Sequence, residues 1–334
     1  MQKLWVWIAV WGLFYGVVVT PSDGQSLQAR DKIRAVYNAI GTGQSPLWIP
    51  HEAGIFRKYG LDVELLYVGG GSRAAQVVVS GEAPIGIFNG GSVVSANLSG
   101  GDLVTIASAL DVLPFFLVAP PTIKKPEDLQ GKKIGITRFG SATDFALRYV
   151  AEKWSMKPQR NFAVLQLGGQ PEMMAALKSG SIQAAMLNVE FAILAGRDGY
   201  INLVDVGALG LAFPASSLNT SRSFIRKNPD LSRRFVRAYV EGIHYAKTHR
   251  QFSIDVISRY LKNVDSAFLN AVYEAYVLRF IPKNPSPSLE AVKTVLAQMA
   301  ESDPRARAVH AEQFIDASLV QELEKKGFIQ QLWK

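Results

Sequence analysis

The sequence predicts an α/β protein with two similar lobes, and two observations support this prediction. First, strand-like and helix-like segments alternate along most of the chain. Second, one pattern occurs twice, as VVVSGEAPIGIFNGG at residues 77–91 and as ALKSGSIQAAMLNVEF at residues 176–191. Each copy has an apolar helix-like run, a Ser-Gly break and a short apolar strand that ends in asparagine, Asn89 or Asn188. The copies are about a hundred residues apart, beyond the periods of stacked repeats, so we expect two lobes that face one ligand.

The first segment has the order of a secretory signal. It reads MQKLWVWIAVWGLFYGVVVT, with an early positive charge at Lys3 and an uncharged apolar run over residues 4–19. This run is somewhat shorter than the roughly 20 apolar residues of a membrane-spanning helix. We expect residues 1–29 to be a signal peptide, cleaved after Gly24 or Ala29, and the mature protein to be periplasmic. The alternative is an uncleaved N-terminal anchor.

The composition excludes several kinds of site. The 334 residues suffice for one large core or two medium ones. The chain has no cysteine, which excludes disulfides, thiolate metal sites, a cysteine nucleophile and the lipid-modified cysteine of a lipoprotein. The net charge of +8 is spread along the chain. The densest basic run, SRSFIRKNPDLSRRFVRAYV, has helical spacing and no aromatic stacking platform, so we interpret it as a solvated helix face and expect no nucleic-acid partner.

The first set of elements follows from apolar runs bounded by turn residues. Helices of this length between strands indicate parallel βαβ units, because a parallel crossover needs about a dozen residues. Strands are predicted at residues 33–40, 62–68, 84–88 and 104–110. Helices are predicted at residues 46–59, closed by Gly60, then from the GGGS turn through Val79, and at residues 93–98.

A second set begins after Pro120-Pro121. From Asn228 onward, apolar spacings of three and four predict helices that pack on a sheet. The strands of the second set are predicted at residues 132–137, 162–168, 184–187 and 201–206. Its helices are predicted at residues 141–154, from Pro171 through Leu177, and from Glu190.

The simplest domain arrangement inserts one lobe into the other. Residues 30–114 would begin lobe 1, residues 115–215 would form lobe 2, and residues 216–334 would return to lobe 1 as its mainly helical second part. The chain would then cross between the lobes near residues 112–116 and near residues 213–219.

The predicted strand ends have glycine-rich or polar turns. In open α/β sheets, ligands bind beyond the carboxyl ends of the strands, at helix N-termini. Glycine lets backbone N–H groups approach a ligand, and a helix N-terminus supplies free donors. One such turn can equally serve packing or helix capping, but its recurrence in both halves predicts a polar cage that needs no metal or cofactor. The six turns are GTGQSPLW (41–48), GGGS (69–72), NGGS (89–92), RFGSAT (138–143), GGQP (168–171) and NVEF (188–191).

Three side chains in these turns have two interpretations each. Trp48 could stack on a ligand or belong to the core of its lobe. Arg138, just before a helix N-terminus, suits a carboxylate, sulfonate or phosphate, or could pair with Glu190 or Asp144 across the cleft. Glu190 could accept a hydrogen bond from a ligand amine or cap its own helix.

A family resemblance rests on three segments: PEDLQGKKIGITRFGSATDFALRY, SGEAPIGIFNGGS and SIQAAMLNVEF. Together they resemble the ABC-transporter solute-binding proteins of the SsuA/THI5-like (NMT1) group, which includes nitrate, sulfonate, taurine and thiamine-precursor binders. The resemblance covers residues 33–223 in order. It implies the type II periplasmic binding fold, in which two lobes are joined by two crossover segments. Such a clamp closes on a small solute by hinge motion and docks on a permease.

The resemblance also implies which residues line the ligand. Sulfonate binders often have Trp, an acidic residue and Pro where this chain has NVEF, so no particular solute is transferred to it. An anionic solute is one expectation, because Arg138 is among the candidates. The ligand-lining residues implied by the resemblance are Gly43, Gln44, Ser45, Gly71, Ser72, Asn89, Gly90, Gly91, Ser141, Thr143, Asn188 and Glu190. Trp48 and Arg138 complete the candidate site.

An enzyme is a weaker interpretation. The pyrimidine synthases of thiamine biosynthesis share the implied fold, but that resemblance includes a Cys-rich motif, and this chain has no cysteine. His244 and His249 are five residues apart, so they do not share the helix face of a metal-ligating pair. No Walker, GxSxG or HExxH motif occurs. We therefore expect no catalytic residue, no metal and no cofactor.

The sequence thus predicts the solute-binding protein of an ABC importer, a monomer that clamps a small solute and delivers it to a membrane permease. The alternative is a ligand-sensing accessory protein for a signalling receptor.

Overall fold

The computed structural model describes residues 30–262 and 264–334, so the predicted signal peptide lies outside the described residues. Within these residues, no helix is both long enough and apolar enough to cross a membrane. The strands are β1 Asp31–Tyr37, β2 Leu61–Tyr67, β3 Ile85–Phe88, β4 Leu103–Val112, β5 Phe115–Ala119, β6 Lys133–Ile136, β7 Ala163–Gln166, β8 Ala184–Asn188, β9 Ile201–Asp205 and β10 Ala212–Ser221.

These strands form two five-stranded sheets of the same construction. The first has the order β2-β1-β3-β10-β4 and the second has the order β7-β6-β8-β5-β9. In each sheet one strand, β10 or β5, runs antiparallel to its two neighbours, and the remaining pairs are parallel. The predicted α/β fold with two mostly parallel sheets is therefore confirmed. β3 and β8 hold the third position of their sheets, which accounts for the repeated sequence pattern.

Helices flank both sheets, and the elements after β10 are helical, as the apolar spacing predicts. The helices around the first sheet's early strands are α1 Ser45–Glu52, α2 Ile55–Lys58, α3 Gly71–Val79 and α4 Gly90–Leu98. Those after β6 are α5 Ala142–Lys153, α6 Gln170–Lys178 and α7 Val189–Arg197. The C-terminal helices are α8 Arg222–Lys227, α9 Pro229–Thr248, α10 Arg250–Leu261, α11 Ser266–Val272, a π-helix over Tyr273–Phe280, α12 Leu289–Met299, α13 Ser318–Lys325 and α14 Phe328–Leu332.

Two elements of the first set differ most from the prediction. The helix expected at residues 46–59 is divided into α1 and α2, because Gly54 has φ 71° and this left-handed conformation interrupts the helix. The first strand ends at Tyr37 and not at residue 40. Asn38 and Ala39 instead follow the carboxyl end of β1 and line a cavity.

The core of the first sheet depends on the C-terminal helices. Trp48 of α1 is fully buried and belongs to the same cluster as Phe235 and Tyr239 of α9, together with side chains of β1 and β3. A second cluster lies around α4 and continues into the second sheet through Phe145 of α5 and Leu117 of β5. The sheets therefore share apolar contacts near the positions where the chain passes between them.

The chain passes from the first sheet to the second between β4 and β5, at Leu113 and Pro114, and returns between β9 and β10. The second passage was expected near residues 213–219. Those residues belong to β10, where Phe213 and Leu218 are fully buried, so the passage occurs earlier, at residues 206–211. The division into residues 30–114, 115–215 and 216–334 remains a proposal, and residues 212–215, which it assigns to lobe 2, lie in β10 of the first sheet.

Candidate functional site

A cavity of about 60 Å³ lies between the two sheets, at the carboxyl ends of their parallel strands. Its wall combines amides, hydroxyls, glycines and a few apolar groups. The first sheet and its helices supply Asn38, Ala39, Gly41, Gly43, Gln44, Leu110, Ala215, Ser216 and Tyr276. The second sheet and its helices supply Phe115, Thr137, Ala142, Thr143, Gln170 and Asn188, and Pro114 lies at the passage between them. The cavity is thus built where open α/β sheets bind ligands.

The turn after β1 approaches the second sheet very closely. A Cβ atom on Gly41 would lie 2.5 Å from the Asn188 amide nitrogen, and one on Gly43 would lie 2.9 Å from Leu110. Side chains at these positions would force the sheets apart or displace the cavity wall. The glycines of the GTGQ turn therefore allow the backbone itself to form part of the cavity.

Three hydroxyls at the start of α5 form a closed network. The Thr137 and Ser141 Oγ atoms are 2.7 Å apart, and each lies 2.9 Å from the Oγ1 atom of Thr143. Ser141 also donates to the Arg138 carbonyl at 2.6 Å. Ser141 is therefore a structural member of the turn behind the wall, while Thr137 and Thr143 reach the cavity.

Asn188 joins three parts of the site. Its side-chain oxygen accepts from Phe191 N–H at 3.1 Å and so caps α7. Its side-chain nitrogen donates to the Ile40 carbonyl on the other side of the cleft at 3.4 Å. Its backbone N–H donates to the Gln170 Oε1 atom at 3.1 Å, which fixes that side chain at the wall.

Glu190 connects the lobes from behind the cavity. The side chain is only 1% exposed, and its carboxylate accepts from the Thr42 backbone N–H and from the Tyr276 hydroxyl, the latter at 3.2 Å. Burial is the main cause that raises the pKa of Glu190, and these hydrogen bonds oppose the increase. Glu190 thus binds two groups of the first lobe from the N-terminus of α7 in the second.

Two serines make further contacts across the cleft. Ser72 of α3 donates to the Phe139 carbonyl at 2.6 Å, and Ser92 of α4 donates to the Gly140 carbonyl at 3.1 Å. Together with Glu190, these bonds hold the two lobes in contact around the cavity.

Several polar atoms near the cavity are buried without a partner in the described chain. They include Asn38 Oδ1 and Gln44 Oε1 at the wall, and the hydroxyls of Ser45 and Ser217 close to it in sequence. Buried polar groups are hydrogen-bonded in nearly all native structures. Two of these atoms, Asn38 Oδ1 and Gln44 Oε1, belong to wall residues, where a polar ligand could bind them.

The structure places four of the fourteen sequence-predicted residues at the cavity wall: Gly43, Gln44, Thr143 and Asn188. Ser45 and Glu190 are buried behind the wall, and Ser141 belongs to the hydroxyl network. Ser72 and Asn89 make other contacts: Ser72 bridges the lobes, and Asn89 caps α4 by accepting from Ser92 N–H at 2.9 Å.

Three predicted glycines have packing roles. An added Cβ would lie 2.2 Å from Asn89 at Gly71, 2.3 Å from Pro214 at Gly90 and 2.4 Å from Phe145 at Gly91. These glycines are required because α3 and α4 approach their neighbours closely, and the structure does not place them at the cavity.

Two aromatic or charged candidates lie elsewhere. Trp48 is fully buried and stacks on Tyr260, with ring centroids 4.2 Å apart, so the interpretation as a ligand-stacking residue is wrong and the core interpretation holds. Arg138 lies in a separate depression at the outer edge of the interface, with Arg73 and Glu172. Neither of the expected ion pairs forms, because Asp144 pairs with Arg148 at 3.1 Å and Glu190 accepts from Thr42 and Tyr276.

Sequence reasoning missed most of the cavity wall. Gly41, Thr137, Ala142 and Gln170 lie within or next to the turns that it singled out, so the signal was present. Asn38, Leu110, Ser216 and Tyr276 had no such signal, because their positions depend on how distant elements pack. Among the described residues, no group of three or more His, Cys, Asp or Glu side chains could hold a metal ion.

Comparisons with known proteins give consistent results. The family model described as "NMT1/THI5 like" matches residues 42–251. The taurine-binding periplasmic protein of Escherichia coli (strain K12) is 28% identical over 178 residues, which cover 49% of this chain and 54% of that protein.

Solved structures are similar in fold. A protein from Bordetella bronchiseptica RB50 superimposes with a TM-score of 0.76 at 22% identity, over 89% of this chain and 98% of that one. The alkanesulfonate-binding protein SsuA from Xanthomonas axonopodis pv. citri, bound to MOPS, gives a TM-score of 0.70 at 17% identity, over 88% of this chain and 98% of that one.

Proposed function

Because the chain belongs to the NMT1/THI5-like family, we propose that it is the extracytoplasmic solute-binding protein of an ABC importer. It holds a small solute between its two lobes and delivers it to a permease in the inner membrane, as a periplasmic carrier and not as an enzyme. The taurine-binding and alkanesulfonate-binding proteins to which it is similar support the solute-binding part of this proposal.

The observation that carries the proposal is the polar cavity between the two sheets. A solute in this cavity would contact Gln44 on one side and Thr143 and Asn188 on the other. Such a solute stabilises the form in which the lobes are together by the difference in its affinity for the two forms. A permease that recognises the closed shape then distinguishes the loaded carrier from the empty one.

A thermal-shift screen of mature protein tests this function. The panel contains nitrate, bicarbonate, sulfonates, carboxylates, pyrimidines and small amides. A solute with micromolar affinity should add about 4 kcal/mol at millimolar concentration, which raises the unfolding temperature by several degrees.

Two matched variants locate the binding site. Ala39→Phe places a large side chain at the cavity wall, whereas Ala208→Phe adds the same group at an exposed position. Ala39→Phe should abolish the thermal response to the solute found in the screen, and Ala208→Phe should retain it. An equal response in both variants would mean that the solute binds elsewhere.

The importer part is tested by uptake of that solute in cells. Deleting the gene should reduce uptake at low solute concentration, and a plasmid that encodes the wild type but not Ala39→Phe should restore it. Unchanged uptake in the deletion strain would contradict the proposed importer.

A further inference from the structure

We propose that the solute is a compact, uncharged molecule with both hydrogen-bond donors and an acceptor, as in a carboxamide or urea, and that it is not an anion. This inference rests on the proposed function, since it assigns a ligand class to the same cavity. It replaces the expectation of an anionic solute. Three properties of the cavity support it: the charge of its wall, its hydrogen-bonding groups and its volume.

The cavity wall offers no positive side chain to an anion. Within residues 30–262 and 264–334, no lysine, arginine or histidine lines it. Arg138, the residue predicted to bind an anion, lies with Arg73 in the separate outer depression. An ionised sulfonate or nitrate that left water for this cavity would therefore lose its hydration without gaining a charged partner, which is unfavourable.

Helix N-termini do not replace the missing cation. α5, α6 and α7 begin at the cavity, and a helix N-terminus ordinarily attracts anions. Each of these helices, however, has an acidic residue in its first turn: Asp144, Glu172 and Glu190. α1 also begins at the cavity, after the wall residue Gln44, and has no acidic residue in its first turn, but the Glu190 carboxyl accepts from Thr42 N–H just before it. Glu190 is especially close, since a Cβ atom on the wall residue Gly41 would lie 3.5 Å from its Oε1. Ionised or protonated, this group supplies no positive charge.

The free hydrogen-bonding groups match a neutral amide. Asn38 Oδ1 and Gln44 Oε1 are buried acceptors without a partner in the described chain, and Gln44 is only 5% exposed. Gln170 has the opposite polarity, because its oxygen accepts from Asn188 N–H and its NH₂ group is left to donate. A carboxamide or urea can donate to the first two and accept from the third. An ionised sulfonate or nitrate has no donor, so it could use only the NH₂ groups of these three amides, whereas a carboxamide or urea can use their oxygens as well.

The volume restricts the solute to a small molecule. One water-sized probe needs about 10–15 Å³ of such volume, so about 60 Å³ accommodates roughly four to six water-sized groups. Acetamide and urea, with four non-hydrogen atoms each, fit within this range.

The test compares isosteric probes that differ in charge. Acetamide and urea are titrated into mature protein beside acetate, nitrate and methanesulfonate, with binding measured by calorimetry and by thermal shift. We expect acetamide to bind at least ten-fold more tightly than acetate. Gln44→Leu should weaken acetamide binding at least ten-fold, whereas Gln331→Leu, the same change at an exposed position, should leave it unchanged.

A second measurement identifies the solute acquired in cells. Purified protein is denatured, and the released small molecules are detected by mass spectrometry in both polarities. A neutral donor-bearing molecule, or preferential binding of acetamide or urea, would support the inference. A released anion, or tighter binding of acetate, nitrate or methanesulfonate, would overturn the inference and leave the proposed function intact. No released solute together with no response to any panel compound would overturn the proposed function itself.

Discussion

Glu190 is the residue whose protonation most directly affects the contact between the lobes. Its carboxylate is buried, and burial raises its pKa above the ordinary glutamate value of about 4.5. The folded, closed form therefore retains a proton over a pH range in which the unfolded chain has released it. Folding costs progressively more as the pH rises through this range, until the carboxyl of the folded form also ionises.

Replacing Glu190 by glutamine should remove this pH dependence. The glutamine oxygen can still accept from Thr42 N–H, while the side chain stays neutral at every pH. We expect the free energy of unfolding of the wild type to fall relative to that of Glu190→Gln as the pH rises above about 4.5, by at most about 1.4 kcal/mol per pH unit. Denaturant unfolding of both proteins between about pH 5 and pH 8 measures the difference.

Glu312→Gln removes an exposed glutamate and serves as the control. Any pH dependence that it shares with Glu190→Gln belongs to the loss of one surface charge. The difference in free energy of unfolding between the wild type and Glu190→Gln could instead stay constant with pH, or the wild type could become relatively more stable as the pH rises. Either result would show that burial does not raise the pKa of this carboxyl.

At the scale of residues, the sequence predicted which turns lie near the cavity better than it predicted which side chains line it. Gln44 and Thr143 line the wall, as the turn composition suggested, whereas Trp48 is core. A tryptophan in a helix-opening turn has the same local sequence whether it faces a ligand or a sheet. Tyr276 shows the converse problem: it is far along the chain from every predicted turn, and only packing of the π-helix brings it to Glu190.

At the scale of elements, the two strand-to-helix units that gave the repeated pattern are built alike but used differently. Asn89 caps α4 by accepting from Ser92 N–H at 2.9 Å, and Asn188 caps α7 by accepting from Phe191 N–H at 3.1 Å. Only Asn188 also lines the cavity and donates across the cleft to Ile40. Comparing substitutions at the two caps can therefore separate an effect on stability from an effect on ligand binding.

Asn89→Ala and Asn188→Ala should each lower the free energy of unfolding by about 1 kcal/mol, the usual contribution of such a cap. Asn188→Ala should in addition weaken binding of the solute found in the thermal-shift screen, because it removes a wall group. Denaturant unfolding gives the first quantity and calorimetric titration gives the second. Equal loss of affinity in both variants would indicate that the effect comes from general destabilisation and not from the wall.

The element boundaries that the sequence failed to predict have local physical causes. Periodicity predicted one helix over residues 46–59, but Gly54 adopts a left-handed conformation and divides it. Apolar spacing also predicted helices from Asn228 onward, yet the segment over Tyr273–Phe280 widens to a π-helix. Its last turn is closed by Lys247, whose amino group donates to the Val277 and Leu278 carbonyls at 2.5 and 3.0 Å. Apolar spacing does not report a change of this kind in backbone hydrogen bonding.

At the scale of the whole molecule, the alternation of strands and helices was enough to predict two sheets, because parallel strands require helical crossovers. It could not show that the order of strands is the same in both sheets, since order depends on contacts between distant segments. The relation between the lobes is likewise a tertiary property. It is set by apolar contacts near the passages and by a few polar bonds across the cleft, among them those of Glu190, Ser72 and Ser92.

Tyr276→Phe should shift the equilibrium between closed and separated lobes towards separated lobes. The change removes the hydroxyl that donates to Glu190 at 3.2 Å and keeps the ring in place. Such a hydrogen bond contributes about 1 kcal/mol when Glu190 is protonated and about 1.5–3 kcal/mol when it is ionised, so its loss should move the closing equilibrium by roughly 5- to 150-fold. Small-angle X-ray scattering of solute-free protein should then give a larger radius of gyration for Tyr276→Phe than for the wild type.

Tyr273→Phe is the matched control on the same π-helix. The Tyr273 hydroxyl donates within one lobe, to the Ala246 carbonyl at 3.0 Å, so its removal should lower stability without changing the radius of gyration. Equal radii for Tyr276→Phe and the wild type would show that the Glu190 contact does not hold the lobes together. In that case closure would depend on the apolar contacts and on the solute, and the carboxylate would serve mainly to order the Thr42 turn at the cavity wall.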